Sequence, residues 1–322
     1  MRCRNVPDAR ALLRMALAYA LSDLSLKDVA AWASSLGVAE ITGPGLFYRL
    51  RESEAWLEQV LAEILTADVQ ATPAARWPVR AVDATVINGP GDKAVQWRAH
   101  VWVNPATGGF QRVELTDNHG GEKLGRHVIE RGEVILGDRA YATARGLYAV
   151  RQAGAHVVVR FTPGNLRTCD EQRQRIHLTD YAAQVPLLGA VEFAITIPVP
   201  PPPTKSHKIW KSSRAVDWIS ARAVAARTRS GEVFWLLTTL AAADLPPLQV
   251  LALYRLRWQI ELLFKRLKSL LHLDTLPSRQ GPTAKSWMLA RLVAAALAQR
   301  LVQPSGPLSP WGYQLQLAPR RA

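Results

Sequence analysis

The chain has 322 residues, 48% of them hydrophobic, so it can bury a sizeable core as one large domain or two to three small ones. Lys and Arg number 40 against 26 Asp and Glu, a net charge of +14 that points to a polyanionic partner, nucleic acid before a membrane surface. No apolar run approaches the ~20 residues of a spanning helix; Cys3 and Cys169 make no disulfide or metal framework, and the seven histidines lack zinc-ligand spacing.

Residues 8–72 read as helical, and Arg14 splits the early apolar stretch, which argues for structure over a signal peptide. Ser25 with Asp28 three residues later forms an acidic variant of the capping box, and Gly37 supplies a turn. A short helix after Pro44 carries Tyr48, Arg49 and Arg51. The pair fits a helix-turn-helix whose second helix enters a major groove, and equally an ordinary helical hairpin.

Texture changes at 72–78. The segments 79–87, 95–103 and 109–116 are β-branched and aromatic between Gly, Pro and Asn, and predict an antiparallel meander. A polar helix is expected over Glu122–Arg131, a strand at 133–138, a helix from Ala140 to Ala153 stopped by Gly154, and a strand at 155–161. Unbroken Val134-Ile135-Leu136 and Val157-Val158-Val159 suit strands covered on both faces. A meander followed by helix, strand, helix, strand is the order of a ribonuclease H-like α/β fold, a mixed sheet.

Residues 162–244 interrupt that plan with strands at 189–197, 216–226 and 233–239. Between the first two, Lys205, Lys208, Lys211 and Arg214 recur every third residue in a proline-rich connector, along one side of a polyproline-like helix. They either touch phosphates or are solvated. Among the tryptophans here, Trp210, Trp218 and Trp235, an indole could stack on an extruded base, although Trp235 sits among apolar neighbours as a core residue would.

The segment "YRLRWQIELLFKRLK", 254–268, is amphipathic. At about 100° per residue, Tyr254, Arg257, Glu261, Lys265 and Lys268 share one face of a single helix, and Leu256, Ile260, Leu263 and Leu267 form the apolar stripe. Glu261 is the lone acid in that basic field. Ion pairs with Arg257 and Lys265 at four-residue spacing would explain it locally. Asp83 within the first strand and Asp138 at the end of the "VIL" strand offer another explanation, because a charge in a buried strand calls for a partner or a metal. Asp117 and Glu122, in the glycine-rich "TDNHGGE" loop, are rival acids to which we assign loop or supporting roles.

Asp83 in "VDATVINGPG", Asp138 in "GDRAYATARGL", and the Tyr254, Arg257, Glu261, Lys268 spacing together resemble the DDE transposases of the insertion sequence four family. "WRAH" (97–100) and "ELTDNHGGE" (114–122) resemble further blocks of that family, and the likeness covers roughly residues 10–313. It implies a ribonuclease H-like fold with a β-rich insertion before the last catalytic helix. It also implies cut-and-paste transposition with two Mg²⁺ ions, replaceable by Mn²⁺, held by Asp83, Asp138 and Glu261. Tyr254, Arg257 and Lys268 would then grip phosphates, with Lys265 beside them, and cations rather than side chains would neutralise Glu261.

The expected partners are double-stranded DNA, namely terminal inverted repeats and target, and a second copy of the chain, in a bacterial cytoplasm and away from membranes. The expected domains are a DNA-binding region at 1–75, a catalytic domain at 76–161 and 245–303, an insertion at 162–244 and a tail at 304–322. Two departures stand out: "DAT" replaces the commoner Asp-Gly-Thr/Ser, and relatives continue for some tens of residues past "SPWG" (309–312), which suggests a shortened copy. A catalytically inactive DNA-binding remnant and a ribonuclease H-like nuclease without strand transfer are the alternatives.

Overall fold

Polar caps fix the first helices before any packing does. The computed structural model describes residues 6–69, 77–89, 95–126, 128–202, 214–228, 230–273, 276 and 281–301. Helix α1 (Ala9–Leu21) starts where Asp8 Oδ1 accepts from the Ala11 amide at 2.7 Å. Helix α2 (Leu26–Ser35) carries the Ser25–Asp28 capping box, and Gly37, at φ +63, turns the chain beyond it. Thr42 caps α3 (Gly43–Glu52), and α4 (Glu54–Val69) follows at once.

The sheet begins with the expected meander, β1 (Val79–Asn88), β2 (Val95–Asn104) and β3 (Gly109–Asp117), all antiparallel. Strand β4 (Val134–Gly137) lies parallel to β1, and β5 (His156–Phe161) parallel to β4, with α5 (Ala144–Gln152) as the crossover. The order β3-β2-β1-β4-β5 is ribonuclease H-like. It continues without a break through β10 (Val233–Thr238), β9 (Asp217–Arg227), β8 (Val191–Val199), β6 (Thr168–Cys169) and β7 (Arg175–Ile176). Residues 162–244 therefore extend the sheet, because β10 pairs antiparallel with the free edge of β5. Helices α6 (Pro247–Arg255), α7 (Trp258–Leu271) and α8 (Gly281–Leu301) complete the fold.

Three expected helices differ. The described residues of 122–131 form a loop with one 3-10 turn, Leu124–Arg126, since Gly125 disfavours a helix and Arg126 bonds outward to Glu114 and the Gly121 carbonyl. The helix expected from Ala140 starts at Ala144: Asp138 first caps a 3-10 turn, Arg139–Tyr141, and Thr143 Oγ1 then accepts from the Gly146 amide at 3.2 Å. The continuous helix over 254–268 is two, α6 and α7. Their junction is closed by i to i+3 bonds, Leu253 O to Leu256 N at 3.1 Å and Tyr254 O to Arg257 N at 3.0 Å. Strands β6 and β7 went unread, because two residues cannot display a period.

Alternation along the strands sorts the core onto two faces. Ala81, Ile87, Val101, Val103, Leu136 and Val158 face α6–α8 and the first four helices, while Val82, Trp102, Ile135, Val157 and Val159 face α5. Helix α8 is the shared wall. Its Trp287, Met288, Leu289, Leu292 and Val293 are buried in the first core. Lys285 pairs with Glu54 and, at 2.8 Å, with Glu58 of α4, and Ser286 donates to the Leu50 carbonyl at 2.6 Å. Gln299 clamps the β2–β3 turn, donating to Gly108 O and accepting from the Phe110 amide. No helix among the described residues is long and apolar enough to cross a membrane.

One core spanning the first helices and the sheet should unfold as one unit. Met288→Ala is expected to cost about 2–5 kcal/mol through lost burial and a cavity. Urea curves followed by helix circular dichroism and by tryptophan fluorescence should stay superimposed in both proteins; separate transitions would contradict a shared core.

Candidate active site

Register is what brings the first two acids together. Odd positions of β1 face α7, and Asp83 is one of them, opposite Val101 of β2. Ala81 of β1 pairs with Leu136 of β4, so the same parallel register carried two residues further sets Asp138 beside Asp83. Asp138 leaves the strand end and accepts from the Ala140 amide at 2.8 Å. Burial pushes the Asp83 carboxyl up to about 6. The Ala84 amide opposes that shift, Asp138 and Glu122 add repulsion, and Arg257 pulls the other way.

Arg257 closes the α6–α7 junction and bridges two acids. Its Nη1 lies 3.7 Å from Asp83 Oδ2, and its Nη2 pairs with Glu261 in the first turn of α7. The guanidinium carbon lies 5.6 Å from the Tyr254 ring centroid, and burial raises the Tyr254 hydroxyl's pKa. Tyr254, Arg257, Glu261 and Asp83 thus meet, although the first three do not share one continuous helix. Arg257, one helical turn away, also pairs with Glu261. Lys265 is exposed and Lys268 half-buried on the same helix.

As placed, no three His, Cys, Asp or Glu side chains among the described residues converge closely enough to hold an ion together. The donor chemistry of the aspartate pair nevertheless suits a hard divalent cation, which would relieve the crowding of two carboxylates at a strand end. Glu261 is one arginine away from that pair.

A second network lies on the opposite face of the meander, built from "WRAH" and "ELTDNHGGE". His100 pairs with Glu114 across β2 and β3, and Arg98 with Thr116. His100 Nε2 lies 3.0 Å from Thr116 Oγ1; Arg126 bonds Glu114 at 2.9 Å and the Gly121 carbonyl at 2.8 Å; Arg98 reaches Glu122 at 3.5 Å. The buried Tyr141 hydroxyl is pushed up by burial and then by Asp83, Glu122 and Asp138. Sequence reading quoted these blocks without pairing them across the two strands. The available signal was the alternation of polar residues in two paired strands.

A family model described as Transposase DDE domain matches residues 76–297. The chain belongs to the DDE transposase family. The likeness drawn from the motifs is therefore borne out. The chain is 33% identical over 325 residues to transposase InsL for insertion sequence element IS186A of Escherichia coli (strain K12), covering 94% of this chain and 88% of that one. It is equally similar over 326 residues to the transposase for insertion sequence element IS421 of Escherichia coli, with the same coverage. Among solved structures, a piggyBac transposase synaptic complex with hairpin DNA aligns with TM-score 0.46 at 10% identity, over 90% of this chain and 65% of that chain. DDE transposases are DNA-cleaving, strand-transferring enzymes that in general depend on divalent metal.

Elsewhere in this DDE transposase, α3 packs through Leu46 and Leu50, leaving Tyr48 exposed with the Arg51 guanidinium 5.3 Å from its ring centroid and Arg49 half-buried. Arg214 is exposed, whereas Lys205, Lys208, Lys211 and Trp210 lie outside the described residues. Trp235 is core, its ring centroid 5.8 Å from that of Phe193, and Trp218 lies 5.0 Å from the Arg173 guanidinium.

His100 yields a test of the meander network. Burial, with Arg126 and Arg98, depresses its pKa from 6.5 to about 4. The unfolded chain takes up this proton at 6.5 and the folded chain does not until about 4, so acidification between those values favours unfolding. The loss reaches at most about 3 kcal/mol at the bottom of that window. His100→Gln should flatten the fall of urea midpoint with pH from 7 to 4.5; an unchanged slope would show that His100 is not held neutral.

Proposed function

We propose that this transposase binds the ends of its insertion sequence as a homodimer in the bacterial cytoplasm, cuts there, and joins the freed ends to target DNA. The observation that carries this reading is the convergence of Asp83 and Asp138 at the parallel β1–β4 register, with Glu261 and Arg257 on the adjoining helix. Asp83, Asp138 and Glu261 would hold two Mg²⁺ ions, or Mn²⁺ in their place. Bound there, the ions would activate the attacking oxygen and stabilise the leaving one.

The chain's own groups position the DNA. Arg257 has the planar fork for a phosphate and lies against Tyr254, which limits its motion. Lys268 and Lys265 add point charges along α7. Ile260, Leu263 and Leu267 bury the opposite side of that helix and fix the direction of its polar face. The nucleophile is water in the first step and the freed 3′-hydroxyl in the second, each in line with the bond that breaks. Residues 1–75, with Arg49 and Arg51 on α3, supply end recognition, and 76–161 with 245–303 supply catalysis. The extension at 162–244, with Lys205, Lys208, Lys211 and Arg214, adds phosphate contacts, and 304–322 is a tail.

Labelled end DNA incubated with protein and Mg²⁺ or Mn²⁺ tests this. The unmodified chain should cleave and join. Asp83→Asn, Asp138→Asn and Glu261→Gln should each lose more than about 100-fold in cleavage while still binding ends. Binding without cleavage by the unmodified chain would favour an inactive remnant, and cleavage without joining a plain nuclease. Arg257→Ala should reduce the slope of log affinity against log salt by about one unit if it neutralises one phosphate.

A further inference from the structure

Helix α6 begins without a cap of its own, since Pro246 has no side chain that could accept from the first amides. The segment that leads into it, 240–245, is held instead by one arginine of the sheet extension. Arg222 of β9 donates from Nε to the Leu240 carbonyl at 2.8 Å, and from Nη2 to the carbonyls of Ala241 at 3.2 Å and Leu245 at 2.9 Å. Its Nη1 pairs with Glu192 of β8. The Arg222 side chain is only 12% exposed, so water cannot readily replace these bonds. Leu240 and Leu245, at the two ends of the held segment, are buried in the core that α6, α7 and α8 share.

What α6 carries makes this grip consequential. Val250 and Leu253 bury one side of the helix, and its far end hands the chain through the 3-10 junction to α7. Arg257 stands at that junction, 3.7 Å from Asp83 and paired with Glu261. A helix is stiff along its axis, so a shift at the start of α6 arrives at the junction, about 14 Å further on, nearly undiminished. Reacting groups tolerate displacements of only about 0.5 Å. Strand β9 supplies its own comparison. Arg227 grips three carbonyls in the same way, those of Val185, Ala182 and Gly231, each at 3.0 Å, but these belong to loops that lead to no helix of the site.

We propose that Arg222 is a positioning residue for strand cleavage: by fixing the start of α6 it sets where Arg257 and Glu261 stand against Asp83. It acts through the helix and not on a reacting atom. The extension at 162–244 is then part of the frame that aligns the cutting groups, in addition to any contact it makes with DNA. This rests on the reading of Asp83, Arg257 and Glu261 given above.

The test compares Arg222→Gln, Arg222→Lys and Arg227→Gln with the unmodified full chain, by hydrogen–deuterium exchange and by single-turnover cleavage of labelled end DNA. Both Gln variants lose three carbonyl bonds and should melt lower by similar amounts. Only the Arg222 variants should exchange faster at amides 248–261 and cleave about 10- to 100-fold more slowly at saturating DNA, with end affinity little changed. Lys keeps a charge for Glu192, but one ammonium cannot span three carbonyls as the planar fork does, so it should show the same split; it decides the matter where Arg222→Gln does not fold. The inference is overturned if Arg227→Gln slows cleavage as much as Arg222→Gln, or if both Arg222 variants exchange and cleave as the unmodified chain does; Arg222 then only stabilises the sheet. Asp83→Asn separates that failure from failure of the site: cleavage that survives it removes the assigned acids and this inference with them. Should the unmodified chain bind ends without cutting, exchange at 248–261 decides alone, and no change there in the Arg222 variants overturns the inference.

Discussion

A carboxylate mostly buried in the first strand, Asp83, with Asp138 following the end of the parallel neighbour β4, is the constraint around which this molecule is organised. Asp83 is carried by β1 and Asp138 follows the end of β4, and a one-residue slip of β1 would turn Ala81 and Ile87 away from the core they fill. The fold must therefore tolerate the pair. It does so with fully buried strand segments beneath it, Val134 to Leu136 and Val157 to Val159, and with Arg257 reaching in from the helix side. Burial is what chiefly raises the Asp83 carboxyl, and the charge of Asp138 adds to it.

Helix α8 transmits that rigidity to the rest of the chain. It sits against the same sheet face as α7, and the N-terminal helices pack on its far side, so the region assigned to end recognition and the region assigned to cutting share one core. Lys285, Ser286 and Gln299 add polar ties at both ends of the helix. An end sequence held by α3 would thus be presented to the acids through packed side chains of α4, α8 and the sheet.

Much of this was legible in the sequence because strand and cap chemistry is local. The meander, the apolar runs of β4 and β5 and the Ser25–Asp28 box are each written in a few adjacent residues. What escaped was set by distant partners. The loop at 117–126 takes its shape from Arg98 of β2 and from the bond of Arg126 to Glu114 of β3, and only the pairing of these two strands reveals the match. The break at 256–257 was hidden because both residues keep right-handed helical angles, so no glycine or proline marks it. The sheet's continuity past β5 depends on an edge being open, which no run of residues states.

That continuity sets a length. Six strand intervals separate β4 from β7, which at about 4.8 Å each is roughly 29 Å of sheet beyond the carboxylates. A turn of B-form duplex rises about 34 Å. A duplex laid across the strand ends would therefore have most of a turn alongside a single protomer before leaving it, enough for the extension to meet the same groove that is cut. The sheet would in this sense be a ruler, its added strands setting how far along a bound duplex one chain reaches.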